Sequence, residues 1–298
     1  MITHFITACF LRVANNCFSR RFPIVLTAAF CCFNSFSQRS LNGLLQAEKN
    51  FAAWSSNHGT KDAFLSFADD SGIVFSNGKP VNAIEFWNTQ QNSDGILNWE
   101  PRYGAVAVSG DIGFTCGPWT FKKKDTDTVA ARGIYTTVWH INKKGEWKFL
   151  VDLGVRNSNW GFTISKNWPD EIADTTHYKP SIDSLLKAEN KFIGMTSEMN
   201  GNNSLRKTFY KSNITQESIC ILNRNNQART EMGDRVETAI DGMPTIITYK
   251  PAGYGIASSG DFGYVYGTTV INDKIDNYLR IWKKERGEWR VMAEVVRY

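Results

Sequence analysis

Apolar residues at Leu44, Ala47, Phe51 and Trp54 recur at the three- and four-residue steps of one helical face. The same stripe returns at Leu185, Ala188, Phe192 and Met195, and Ser40 and Ser184 stand where N-caps are expected. A second short helix is predicted over 61–67, entered through Asn57-His58-Gly59 with Thr60 as its cap. Residues 72–75 read as a short strand closed by an Asn77-Gly78 turn, and 81–87 as a third short helix. From Leu97 the pattern changes to runs of β-branched and aromatic residues over 97–108, 112–121, 134–141 and 147–153. The segments between them suit hairpin connections. Strands are predicted again over 246–258, 262–271, 278–283 and 289–296. Helices followed by antiparallel strands predict an α+β arrangement, with helices on one sheet face.

The two halves also share words. Ser109-Gly110-Asp111-Ile112-Gly113 returns as Ser259-Gly260-Asp261-Phe262-Gly263. Gly145-Glu146-Trp147 returns as Gly287-Glu288-Trp289, and Leu44-Leu45-Gln46-Ala47-Glu48 as Leu185-Leu186-Lys187-Ala188-Glu189. Matches in one order at nearly one spacing mark a duplicated domain. We expect a first domain over 40–155, a connector over 156–180 packed on the domains by Trp160 and Trp168, and a second domain over 181–298. In the second copy, 223–235 diverges most.

The N-terminus changes how the charge is read. Arg20-Arg21, an apolar run over 22–33, and Ser35 and Ser37 at −3 and −1 form the pattern of a signal peptide over 1–37 cut before Gln38. Export to the periplasm or the outside of the cell is expected. The apolar run is too short to span a bilayer, so no stable membrane span is predicted. The net charge is +5. The leader holds Arg12, Arg20 and Arg21 without an acid, so the remainder is close to neutral and shows no footprint for nucleic acid. Lys122-Lys123-Lys124 reads as a solvated loop end. Four of the six cysteines lie in the leader. Cys116 and Cys220 fall at different places in the repeat and read as buried free thiols.

The stretches 109–119, 133–139 and 145–154, with Ala63-Phe64-Leu65-Ser66-Phe67 and Pro80-Val81-Asn82, resemble the nuclear-transport-factor-2-like superfamily. They are most similar to its secreted bacterial branch of SnoaL-like domains of unknown function. The second copy resembles it more loosely. The resemblance implies two tandem cystatin-like conical barrels, each a bent antiparallel sheet wrapped around one long and two short helices. It also implies a pocket at the open end and pairing through the sheets, here an intramolecular pseudo-dimer. It implies no single activity, because the superfamily holds isomerases, cyclases, dehydratases and binding domains.

Isomerases and dehydratases of this superfamily place an acid in the cone, where a raised pKa suits proton transfer. Two acid pairs are retained between copies: Asp152 with Glu294, and Glu48 with Glu189. Strict alternation puts Asp152 with Lys148 and Leu150, opposite Trp147, Phe149, Val151 and Leu153. That favours a salt bridge or interface over the pocket for Asp152. Glu48 sits at the edge of the apolar helix face. Asp111 and Asp261 read as turn residues capping their own backbone. His58, His140 and His177 have no counterparts in the other copy and no metal-ligand spacing, and neither a phosphate loop nor a dinucleotide fingerprint occurs. No metal or cofactor is expected. Trp54, Phe67, Trp87, Trp99, Trp119 and Tyr135 are candidates to line an apolar cavity, although aromatics at such spacing also build cores. Three readings stand together: a binder of a small, largely apolar molecule, a lyase or isomerase using a cone carboxylate, and an interaction module with filled cones.

Overall fold

The computed structural model describes residues 39–123, 128–156, 176–224, 227–232 and 235–298. The leader and most of the connector, with Trp160 and Trp168, lie outside the described residues. Helix α1 (Leu41–His58) opens at Ser40, whose hydroxyl accepts from Gly43 N at 3.1 Å, a cap worth about 1 kcal/mol. Its inward side carries Leu44, Glu48, Phe51 and Ser55, while Trp54 stays 41% exposed. Helix α2 (Thr60–Phe67), strands β1 (Ala68–Ser76) and β2 (Lys79–Asn82) and helix α3 (Ala83–Thr89) follow. The strands β3 (Gly95–Trp99), β4 (Tyr103–Val106), β5 (Ile112–Lys123), β6 (Val129–Ile141) and β7 (Trp147–Arg156) complete the first half. The single strand expected over 97–108 is two. It breaks beside Pro101, which has no N–H for a ladder, and both pieces pair with β5.

The second half repeats the plan. Helix α4 (Ile182–Glu198) is capped by Ser181, not Ser184, and buries Leu185, Glu189, Phe192 and Thr196. Then come α5 (Asn203–Asn213), β8 (Ile214–Arg224), β9 (Gln227–Met232), α6 (Val236–Asp241), β10 (Thr248–Ile256), β11 (Phe262–Ile271), β12 (Lys274–Glu285) and β13 (Glu288–Arg297). The sheet orders are β2-β1-β7-β6-β5-β3, with β4 also on β5, and β10-β11-β12-β13-β8-β9. Each sheet is antiparallel except for one parallel pair, β1 with β7 and β8 with β13.

The inner face of each sheet packs on its own helices. Leu44, Phe51, Phe64, Trp139 and Phe149 gather in the first half, and Leu185, Phe192, Tyr278, Trp282 and Val291 in the second. The outer faces meet each other. Phe114, Val138, Val151 and Leu153 share one core with Phe262, Ile281, Ala293 and Val295, and the Phe114 and Phe262 rings lie 6.3 Å apart.

A β-bulge sets which residues of β7 face inward. Val138 pairs with Val151, but Trp139 pairs with Phe149, so Leu150 is the extra residue. Past it the alternation is inverted. Trp147 and Phe149 belong to the inner core, whereas Val151, Leu153 and Val155 belong to the shared one. Met292 does the same in β13, between the pairs Ile281–Ala293 and Trp282–Val291.

The Ser-Gly-Asp turns join the halves reciprocally. Ser109 and Ser259 hydroxyls lie 2.8 Å apart, and each accepts from the other's backbone N–H, at 3.1 and 3.3 Å. Asp261 Oδ2 accepts from Val108 N at 3.2 Å, and Asp111 Oδ2 accepts from Ser258 N at 3.0 Å. The two aspartates therefore cross to the opposite copy rather than capping their own backbone. A local turn rule has no means of seeing a partner about 150 residues away.

Candidate functional site

Because of the bulge, Asp152 points into the first cone, contrary to the interface expected from uninterrupted alternation. It lines a cavity of about 200 Å³ together with Phe51, Phe64, Leu97, Trp99, Trp119, Tyr135 and Gly154. The wall is almost wholly apolar apart from the Asp152 carboxylate. Thr137, its ladder partner on β6, donates to Asp152 Oδ1 at 2.7 Å. Burial pushes the Asp152 carboxyl up to about 6, although this hydrogen bond pulls the other way. Two buried donors reach the cavity without a hydrogen bond of normal geometry, Trp119 Nε1 and the Tyr135 hydroxyl. Buried polar groups are normally partnered, so these two donors set this wall apart from an ordinary core.

Glu48 lies behind that wall. Trp99 Nε1 donates to its Oε1 at 2.5 Å, while Thr115 Oγ1 and Trp139 Nε1 donate to its Oε2, the latter at 3.0 Å. Burial pushes its carboxyl up to about 7 against these three bonds, with nearby Asp152 adding to the rise. Both oxygens are spent tying α1 to β3, β5 and β6. Its position makes it a structural clamp.

The remaining candidates divide. Trp99, Trp119 and Tyr135 are in the cavity wall. Phe67 stacks on Phe51 with centroids 5.0 Å apart, and Trp87 on Phe64 at 4.4 Å, so both support the wall from behind. Trp54 stacks on His58 at 4.1 Å, on the solvent side of α1. Cys116 is a free thiol in the shared core. Among the described residues, no cluster of His, Cys, Asp or Glu could hold a metal, and no helix is long and apolar enough to cross a membrane.

The second cone has a different centre. Arg280 is fully buried, donating from its Nη1 to Glu189 Oε1 at 2.5 Å and from Nε to Glu294 Oε1 at 2.7 Å. Its guanidinium lies 4.6 Å from the Phe192 ring centroid, 4.3 Å from Tyr249 and 4.9 Å from Tyr278. Trp282 Nε1 and the Tyr278 hydroxyl complete the shell of Glu189, and Tyr210 donates to Glu294 at 2.9 Å. Arg280 pairs with Glu294 across the ladder as Thr137 pairs with Asp152. A comparison of residues retained in both copies could not find Arg280, because only one copy has it. The signal was the reverse comparison, a buried strand position that differs.

Each half is an α+β unit, a mixed sheet packed on one long helix and two shorter ones. No family model matches the sequence, and no curated protein does. Solved structures do. A nuclear-transport-factor-2-like protein of unknown function from Shewanella oneidensis is 19% identical, covering 37% of this chain and 94% of its own, with a TM-score of 0.31. One from Silicibacter pomeroyi is 9% identical, covering 38% of this chain and 92% of its own, with a TM-score of 0.30. A cystatin-like protein of unknown function from Nostoc punctiforme is 9% identical, covering 40% of this chain and 94% of its own, also with a TM-score of 0.30. At such identities the likeness concerns fold alone.

Proposed function

We propose that the protein binds a small, largely apolar molecule in the first cone, and that the second cone is a structural copy. The observation that carries this is the apolar cavity of about 200 Å³ with a single carboxylate in its wall. Cavities of about 150 Å³ hold one benzene ring, so the ligand is about that size. Gly154 is the lever for a test. A Cβ there meets only Trp119 Nε1, at 3.8 Å, and the second copy carries Val296 at the matching place. Gly154→Val should fold, shrink the cavity and abolish ligand-induced thermal shifts that the parent protein gives with a panel of small aromatic compounds. A parent protein unmoved by the whole panel would refute binding.

A catalytic reading has one specific observation in its favour, a cavity-facing carboxyl at about 6 in the same cavity wall as Tyr135. A group so placed exchanges protons near neutrality. Asp152 would be the acid/base of a lyase or isomerase, and Asp152→Asn would lose turnover while retaining the ligand. The leader supports export, with cleavage after Ser37. N-terminal sequencing of the protein secreted from its host checks this, and an intact leader on the mature protein would refute it.

A further inference from the structure

The two cones are the same cage in two states. In the second, Arg280 touches Phe192, Tyr249, Tyr278 and Glu294. The repeat places Phe51, Trp99, Tyr135 and Asp152 at those four positions, and all four line the cavity of the first cone. Thr137 replaces Arg280, so the cavity occupies the space that the guanidinium fills in the other copy. The rings and the carboxylate are kept. The internal cation is not, and among the described residues the Thr137 hydroxyl is the hydrogen-bond partner of Asp152.

We propose that the first cone binds a small organic cation, an alkyl- or arylammonium or alkylguanidinium, which sits among Phe51, Trp99 and Tyr135 and pairs with Asp152 as Arg280 pairs with Glu294. This rests on the ligand-binding reading above and narrows it. A cation over aromatic faces is attracted by their quadrupoles, more strongly when water is excluded, and a carboxylate within reach supplies a charge-assisted hydrogen bond. The outward-facing half of such a ligand can be apolar, meeting Phe64 and Leu97. A neutral ligand of the same shape would leave the Asp152 charge buried and uncompensated. The Tyr135 hydroxyl and Trp119 Nε1 are donors without a hydrogen bond of normal geometry. They would serve an acceptor atom carried beside the cationic group.

The test is calorimetric titration of the full-length mature protein with propylguanidinium, benzylammonium and neutral benzyl alcohol. Both cations should bind and compete for one site, and at least one should bind about tenfold more tightly than benzyl alcohol. Asp152→Asn keeps the acceptor for Thr137. It should weaken the cations by about tenfold or more while changing benzyl alcohol by no more than about twofold. Thr137→Arg, which installs the residue of the second copy, should abolish binding of all three and raise the melting temperature. Benzyl alcohol binding as tightly as the cations, or cation binding indifferent to Asp152→Asn, would overturn the cation proposal and leave the apolar-ligand reading standing. Binding by none of the three would overturn the cation proposal, and failure of the wider aromatic panel as well would overturn both. Melting curves of each variant establish that it is folded.

Discussion

Glu48 and Asp152 are carboxyls that the folded state holds in protonated form more readily than the unfolded chain does. Their pKa values rise from 4.5 to about 7 and from 3.8 to about 6. Folding therefore takes up protons, and the resulting stabilisation is fully present below the unfolded values and lost as pH climbs through the folded ones. The loss is on the order of 3 kcal/mol for Glu48, and less for Asp152, which keeps some solvent contact. Denaturant titrations should show a decline in stability between about pH 4 and 7, and Asp152→Asn should flatten part of it. An unchanged slope in that variant would contradict the assignment. Arg280 behaves oppositely, since it compensates two buried acids. Arg280→Met should cost about 3–5 kcal/mol, more at pH 8 than at pH 5, because protonation relieves the stranded Glu189, whose carboxyl burial already pushes up. The acid pairs were legible in the sequence as retained residues. Their partners were not, because Trp99, Thr115 and Trp139 reach Glu48 from three separate strands.

At the scale of elements, β7 carries the site, and its bulge at Leu150 matters more than any single contact. Alternation read from sequence is correct on each side of the bulge and inverted across it. That is why Trp147 and Phe149 were rightly read as core and Asp152 was placed on the wrong face. A bulge inserts one residue without a compositional signature in this strand, so periodicity alone does not reveal it. Deleting Leu150 should regularise the ladder, because Phe149 and Val151 already pair with successive residues of β6, and should leave Asp152 in the cone of a folded protein. Leu150→Ala keeps the bulge and should cost no more than about 2 kcal/mol; melting curves check both variants, and loss of the fold on deletion would contradict the bulge assignment. The break at Pro101, by comparison, had a signal in the sequence that the single strand expected over 97–108 passed over. A residue without an N–H has nothing to donate to a ladder and argues against continuity.

For the molecule as a whole, the paired Ser-Gly-Asp turns and the core beneath them make the two copies one cooperative body. Asp111→Ala and Asp261→Ala should each leave a backbone N–H of the opposite copy unpaired, costing about 1–3 kcal/mol. The two changes share the Ser109–Ser259 contact. A double-mutant cycle should therefore return a coupling of at least about 0.5 kcal/mol, and simple additivity would mean that the turns act separately. The motif itself was the clearest signal in the sequence. Its role was hidden because it depends on a second turn from the distant half of the chain.

Arg280 on one side and Thr137 on the other carry a consequence of being a single chain. A symmetric homodimer receives every substitution twice, so filling one cone fills both. Here the copies are free to specialise. One can exchange its opening for a rigid, ion-paired centre, and through the common core it braces the neighbour that stays open. The tether converts symmetry into a division of labour that two identical subunits could not encode.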